Sequence, residues 1–424
     1  MNLSKELPKL VQEGIISQES ADAIENYYAR DKIPTQSRLM AVFGVIGAIL
    51  VGLGIILIIA HNWDSFSRPI KTGFSLLPLI IGQLTCGYTL LKRKSSQAWR
   101  EASASFLFFA IGACISLISQ VYNIPGNMGA FLLTWMLLFL PIPFVMKSSV
   151  ANILLIAGAT SYATEVGYWQ NPNRIPFWYC LLMGAGIFYH LQTIQQRPES
   201  NGIPFLNWII PLSLTICLGS IAEEHEEIMF LAYMSMFAIF TQIGNRTFFS
   251  NQASRNNGYR IIGWLGSIIV LLILSFDFIW EGIRKEAYDH AALVLAPEIY
   301  ATFLISVFAL FLSYQQWSKD NLRVSEILFF PLILIYILGS HSTFAFVLVN
   351  TLLFAYGLLT IIHGTKVQNL LIMNSGLLII AALIVCRFFD TDLSFVVRGI
   401  LFLSIGFGFF ITNYQLLKKK KENA

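Results

Sequence analysis

The residues with the most chemistry in them sit where apolar runs break off. His61, Asn62, Trp63 and Asp64 follow the first such run, with Arg68 and Lys71 just behind. A histidine and a carboxylate three positions apart are a pair suited to general acid–base work. The same types also anchor a helix end at a membrane surface, where Trp and a few charges are common. A second cluster, Gln120, Tyr122, Asn123 and Asn127, surrounds Pro125-Gly126. Its amides suit a sugar or an amide ligand, or the backbone of the tight turn that Pro-Gly forms. In "AEEHEEI", Ala222 to Ile228, four carboxylates surround His225. Oxygen-rich groups bind divalent cations, but this spacing matches no metal motif and reads as a solvated loop. Glu165 and Asp277 lie at the ends of apolar runs, and Arg387, Asp390, Asp392 and Arg398 flank a late connection where ion pairing is the plain explanation. There is no phosphate-binding glycine loop, zinc-protease helix or nucleophile elbow. The sequence therefore assigns no catalytic residue, no cofactor and no metal.

Those residues need elements to hold them, and composition says what kind. Of 424 residues, 56% are hydrophobic and 12% charged, with mean hydropathy +0.65. Soluble domains carry roughly 25% charge. A chain with half of that, arranged in repeated apolar runs, is a polytopic helical membrane protein. About 14 spans are expected, near 39–60, 71–91, 102–121, 129–146, 148–167, 176–195, 203–222, 226–243, 258–281, 296–314, 324–340, 342–362, 367–386 and 394–416. The close pairs around Lys147 and His341 are alternatively re-entrant. The first run begins at Leu39 without a secretory lead-in and reads as a retained span. Cys86, Cys114, Cys180, Cys217 and Cys386 read as small buried hydrophobes. Gly44, Ala48 and Gly52 form a stripe for close helix contact. Pro78, Pro141, Pro143, Pro211 and Pro331 are expected to kink spans.

Charge orients the runs. With both termini cytoplasmic, about 21 of the 28 Lys and Arg residues fall on the inner side, the bias of the positive-inside rule. His61, Asp64, Gln120, Glu165 and Asp277 then all lie near the outer face. Trp63, Trp169 and Trp280 mark outer edges, and Trp99 and Trp317 inner ones. Mid-membrane charges are nearly absent, which counts against ion-driven transport. The basic clusters suit membrane orientation, and nucleic acid is not an expected partner. Residues 1–36 form a cytosolic helical hairpin, with Gly14 closing its first helix and Ser17 capping its second. Residues 37–417 form the all-α transmembrane bundle and 418–424 a basic cytosolic tail.

The pairing of "HNWD" at the end of the first span with "Q-x-Y-N-I-P-G-N" before "F-L-L-T-W-x-L-L-F-L-P" resembles a bacterial family of predicted membrane proteins, domain of unknown function 2157. The likeness covers roughly Leu3 to Met146. The head also resembles short bacterial helical hairpins, which implies docking or self-association. The family resemblance implies a bacterial inner-membrane protein, often encoded beside a membrane-anchored envelope protein with a G-D-Y-x-x-L-x-Y motif, and brings no catalytic role. Three functions follow, in order: transport or flipping of a polar or lipid-linked envelope molecule; a non-catalytic scaffold or sensor with an envelope partner; and an enzyme at the outer face. His61, Asp64 and Gln120 are expected to converge on one outward-facing pocket, with the first and third spans side by side.

Overall fold

In a computed structural model, residues 10–30, 63–169, 175–222, 226–250, 254–286, 296–317, 328–340 and 342–390 are described, with Leu7 and scattered positions between 396 and 414. They are helical, with no strand among them. The expected first span (39–60) and most of the last (394–416) lie outside the described residues, as do the boundaries at 36 and 417 and the glycine stripe. The chain divides into two compact units, Met1–Phe74 and Ser75–Ala424.

The first unit begins with a short helical turn that Gly14 ends at φ +70°, a conformation glycine adopts without strain. Ser17 then caps α1 (Gln18–Arg30), its hydroxyl accepting from the Ser20 amide at 3.2 Å. Leu7 and Ala21 are buried, whereas Ile15 is exposed. Further along, Trp63–Ser65 make one 3-10 turn, and the amide of Lys71 bonds the Ser67 carbonyl as α2 (Arg68–Lys92) starts. Pro69 lies in the first turn of α2, where its missing amide costs no helical bond.

The second unit holds the rest of α2 and the following helices: α3 (Gln97–Tyr122), α4 (Met128–Phe139), the short α5 (Ile142–Met146), α6 (Ser149–Thr164), α7 (Phe177–Gln196), α8 (Gly202–Leu218), α9 (Met229–Gly244), α10 (Gly258–Ile273), α11 (Asp277–Glu286), α12 (Pro297–Trp317), α13 (Phe329–Gly339), α14 (Ala345–Lys366) and α15 (Leu370–Asp390). Among the described residues, eight stretches are long and apolar enough to cross a membrane, or nine if α10 and α11 are one broken span. Crossing about 30 Å of hydrocarbon takes about 20 residues.

Burial separates inner from peripheral helices. The most apolar stretch of α9 is 61% buried, and α9 packs on α10 and α12; in α2 the figure is 22%. Leu76, Leu77, Ile80, Leu84 and Leu91 on α2, and Phe303, Leu304, Phe308 and Phe311 on α12, are exposed. Apolar surface in such continuous stripes is unfavourable in water and suits lipid. Small residues allow the closest approaches. A Cβ on Gly376 of α15 would lie 2.7 Å from the Gly357 carbonyl oxygen of α14.

Several expectations need correction. Cys180 is exposed and Cys386 only partly buried, while Cys86, Cys114 and Cys217 are buried. Pro331 sits in the first turn of α13, where a missing amide costs no helical bond. Pro78 and Pro211 do lie inside helices. Trp280 is no interfacial anchor: it is completely buried.

Candidate functional site at a broken helix

The expected span 258–281 is not straight. Its apolar run stops at Leu274, and the chain turns through 83° before α11 begins at Asp277. The sequence "LSFD" at the turn has no Pro or Gly. The bend is instead stabilised by side chains that satisfy backbone groups freed by it, as a helix broken within an apolar environment requires. The indole of Trp280 donates to the Leu274 carbonyl at 2.8 Å. The Asn350 amide, from the first half of α14, donates to the Ser275 carbonyl at 2.9 Å and to Phe346 within its own helix. The Ser275 hydroxyl donates to the Leu272 carbonyl and accepts from Arg387 of α15 at 3.4 Å. The Arg387 guanidinium lies 4.9 Å from the ring centre of Phe276.

Around this bend are further polar groups. Asp277 and Arg284, seven positions apart and thus two turns along α11, approach to 3.8 Å. That is an ion pair too long for a hydrogen bond. Arg284 also donates to the Ser342 carbonyl at 3.4 Å. Glu227 lies beside Gly282, and its carbonyl accepts from the Tyr336 hydroxyl at 2.9 Å. Trp280 packs across Gly339 and Ala345 with its ring 6.0 Å from Tyr336, so α11, α13 and α14 are tied at one end.

Two oxygens here lack a donor. Asp277 Oδ1, which faces the Arg284 Nη2 at 3.8 Å, and Asn350 Oδ1 are both buried with no hydrogen bond. The Asp277 side chain is nonetheless 47% exposed overall, so the carboxylate is closed on one oxygen and open elsewhere. A buried acceptor without a donor costs roughly 1–3 kcal/mol. The site therefore has unfilled capacity to accept hydrogen bonds, beside two guanidinium groups. Hydroxyl, ammonium or amide groups of a ligand match that capacity, while Arg284 and Arg387 suit its acidic groups.

The other sequence-derived candidates are placed differently. His61 and Asn62 lie outside the described residues, as does His225. Trp63, Asp64 and Arg68 belong to the first unit; Asp64 and Arg68 are exposed, and Lys71 lies 5.8 Å over the Trp63 ring. In the second unit, Gln120 and Tyr122 are exposed at the end of α3. Asn123 ends that helix at φ 49°, the left-handed conformation asparagine tolerates. Asn127 caps α4 by accepting from the Ala130 amide at 2.7 Å. Glu165 opens a π-helical turn, Glu165–Trp169, whose Tyr168 hydroxyl donates to the Ile216 carbonyl. Among the described candidates, Asp277, Arg387 and Glu227 are part of the broken-helix cluster.

Several buried polar residues carried no weight in the sequence. His190, 2% exposed inside α7, meets Asn207 of α8 at 3.0 Å. Because the Asn207 Nδ2 donates to the Asn256 carbonyl, its Oδ1 faces the imidazole, and the His190 Nε2 must be the donor. The knot fastens the 254–256 turn to α8, helped by Trp208 donating to the Arg255 carbonyl. A His and an Asn within otherwise apolar runs were the available signal, since polar groups inside spans are rare. Among the described residues, no group of three or more His, Cys, Asp or Glu could hold a metal ion.

Residues 8–152 match the family model of domain of unknown function 2157, described as a predicted membrane protein. This is the family that the "HNWD" and "QVYNIPGN" motifs resemble. The match spans the head, the Trp63–Asp64 turn and the Gln120–Asn127 connection, and it ends early in α6. The broken helix lies beyond it. No curated protein and no solved structure matches the chain.

Proposed function

We propose that this is a bacterial inner-membrane protein of about 14 spans that binds a polar or lipid-linked envelope molecule at the broken helix and moves it across the bilayer. The observation that carries the proposal is the pair of buried, donor-less oxygens, Asp277 Oδ1 and Asn350 Oδ1, at an 83° break in an apolar helix. Interrupted helices line substrate sites in many transporters because their freed backbone groups are satisfied only around a cavity or ligand. Neighbouring Arg284 and Arg387 suit a ligand bearing phosphate or carboxylate next to hydroxyls.

Two measurements test this. The purified protein, extracted in mild detergent, is analysed for co-purifying lipids by mass spectrometry, beside Asn350→Leu. Proteoliposomes carrying a headgroup-labelled lipid are then treated with an impermeant quencher. Retention of a lipid-linked sugar or glycerolipid by the wild type and not the variant, with faster loss of inner-leaflet label, supports transport. A stoichiometric protein partner with no retained lipid and no label movement would move the assignment to a scaffold.

A further inference from the structure

A second polar feature of the Ser75–Ala424 unit lies where α3 begins, and the broken-helix assignment does not use it. A cavity of about 400 Å³ is lined by Gln97 and Arg100 from the first turn of α3, and by Arg197, Pro198, Glu199 and Ser200 from the connection between α7 and α8. We propose that this cavity binds a phosphate group, carried by an anionic lipid headgroup or free in solution.

The Arg100 Nε is buried and has no hydrogen-bond partner. Its neighbour Glu101 is unavailable as a counterion, because its carboxylate is committed to the start of α6. It accepts from the Ser148 hydroxyl, from the Ser149 amide at 3.1 Å and from the Val150 amide at 3.0 Å. A carboxylate at a helix N-terminus is in its favoured place. Arg197 is held in position by donating to the Lys147 carbonyl at 3.2 Å, with Lys147 itself in a left-handed turn. Among the described residues, neither guanidinium lies within ion-pair distance of a carboxylate. Glu199 also lines the cavity and sets one negative charge against the two positive ones.

Backbone geometry adds to this. Arg100 lies in the first turn of α3, where the helix dipole is already positive and a cation is disfavoured. Ser96 precedes that turn without a side-chain cap, so the first amides of α3 lack an intrahelical acceptor. The N-terminus of α8 is already satisfied: the Gly202 amide donates to the Ser200 hydroxyl at 3.4 Å and the Ile203 amide to the Ser200 carbonyl at 3.1 Å. A bound anion would relieve the misplaced charge and accept from the first amides of α3, and phosphate matches guanidinium geometry two bonds at a time. The setting suits a lipid: the cavity lies at the charged end of an apolar helix, next to the exposed Lys92, Arg93 and Lys94 and the half-exposed Trp99. Basic pockets between membrane helices recognise such headgroups.

The test uses the full-length protein in neutral detergent, titrated with dihexanoyl-phosphatidylglycerol and read by native mass spectrometry. Inorganic phosphate is the competing probe. Arg100→Gln, which breaks no bond to the protein, is expected to weaken binding about tenfold, the typical worth of one charge-assisted contact. Arg100→Lys should retain part of the affinity, and Arg197→Gln should weaken binding similarly. Displacement by millimolar phosphate assigns the site to a free phosphate; resistance to displacement, with the same loss in the variants, assigns it to a lipid headgroup. Unchanged affinity in Arg100→Gln and Arg197→Gln, or no binding of either probe by the wild type, would overturn the proposal.

Discussion

Two polar interruptions in the second unit look alike in the sequence and differ in what their side chains do. At Ser119–Ala130 the groups serve the chain reversal. The Ser119 hydroxyl donates to the Ile124 carbonyl, Asn123 takes the left-handed position and Asn127 caps α4. At Leu272–Asp277 the same kinds of residue satisfy a broken helix and leave two buried acceptors without donors. Polar residues between apolar runs therefore do not mark a site by themselves. What separates these two regions is their hydrogen-bond balance.

The largest effect expected to sharpen that contrast is Trp280→Ala. It empties a completely buried site and frees the Leu274 carbonyl, a loss of roughly 3–5 kcal/mol. The apparent unfolding midpoint in detergent, at one fixed scan rate, should fall well below that of any variant in the Ser119–Ala130 turn. Asn350→Leu comes next. It removes the donor to Ser275 together with one donor-less oxygen, so the net cost is about 1–2 kcal/mol. Co-purifying ligand should be lost at the same time. Asn127→Ala should cost about 1 kcal/mol through the lost cap and leave bound ligand unchanged. Loss of ligand in that variant would erase the distinction between the two regions. Smallest in stability is Asp277→Asn, within about 1 kcal/mol because the pair with Arg284 is long and half exposed. Its effect should appear in ligand retention instead.

What the sequence made legible was local. Gly14 ends a helical turn in the left-handed conformation and Ser17 caps α1 with its hydroxyl, each doing at its position what its residue type favours. Apolar runs marked helices for the same reason, since length and hydropathy require no partner. Tertiary facts were hidden. Trp280 stands at the edge of an apolar run, where Trp reads as an interfacial anchor, yet Gly339 leaves the space that buries its ring. The bend at Ser275 has no Pro or Gly to announce it, and two of its stabilising groups, Asn350 and Arg387, come from helices more than 70 positions away. Arg100 and Arg197 counted only as orienting charges, and a charge count is blind to Glu101 being occupied elsewhere.

The central claim is that the helix break is a binding site, and its most direct test is an experimental structure of the full chain in a lipid nanodisc. The expected result is a turn at residues 274–276 with non-protein density within hydrogen-bond distance of Asp277 and Asn350. A continuous helix from Gly258 to Glu286, or both oxygens satisfied by donors of the protein itself, would contradict it.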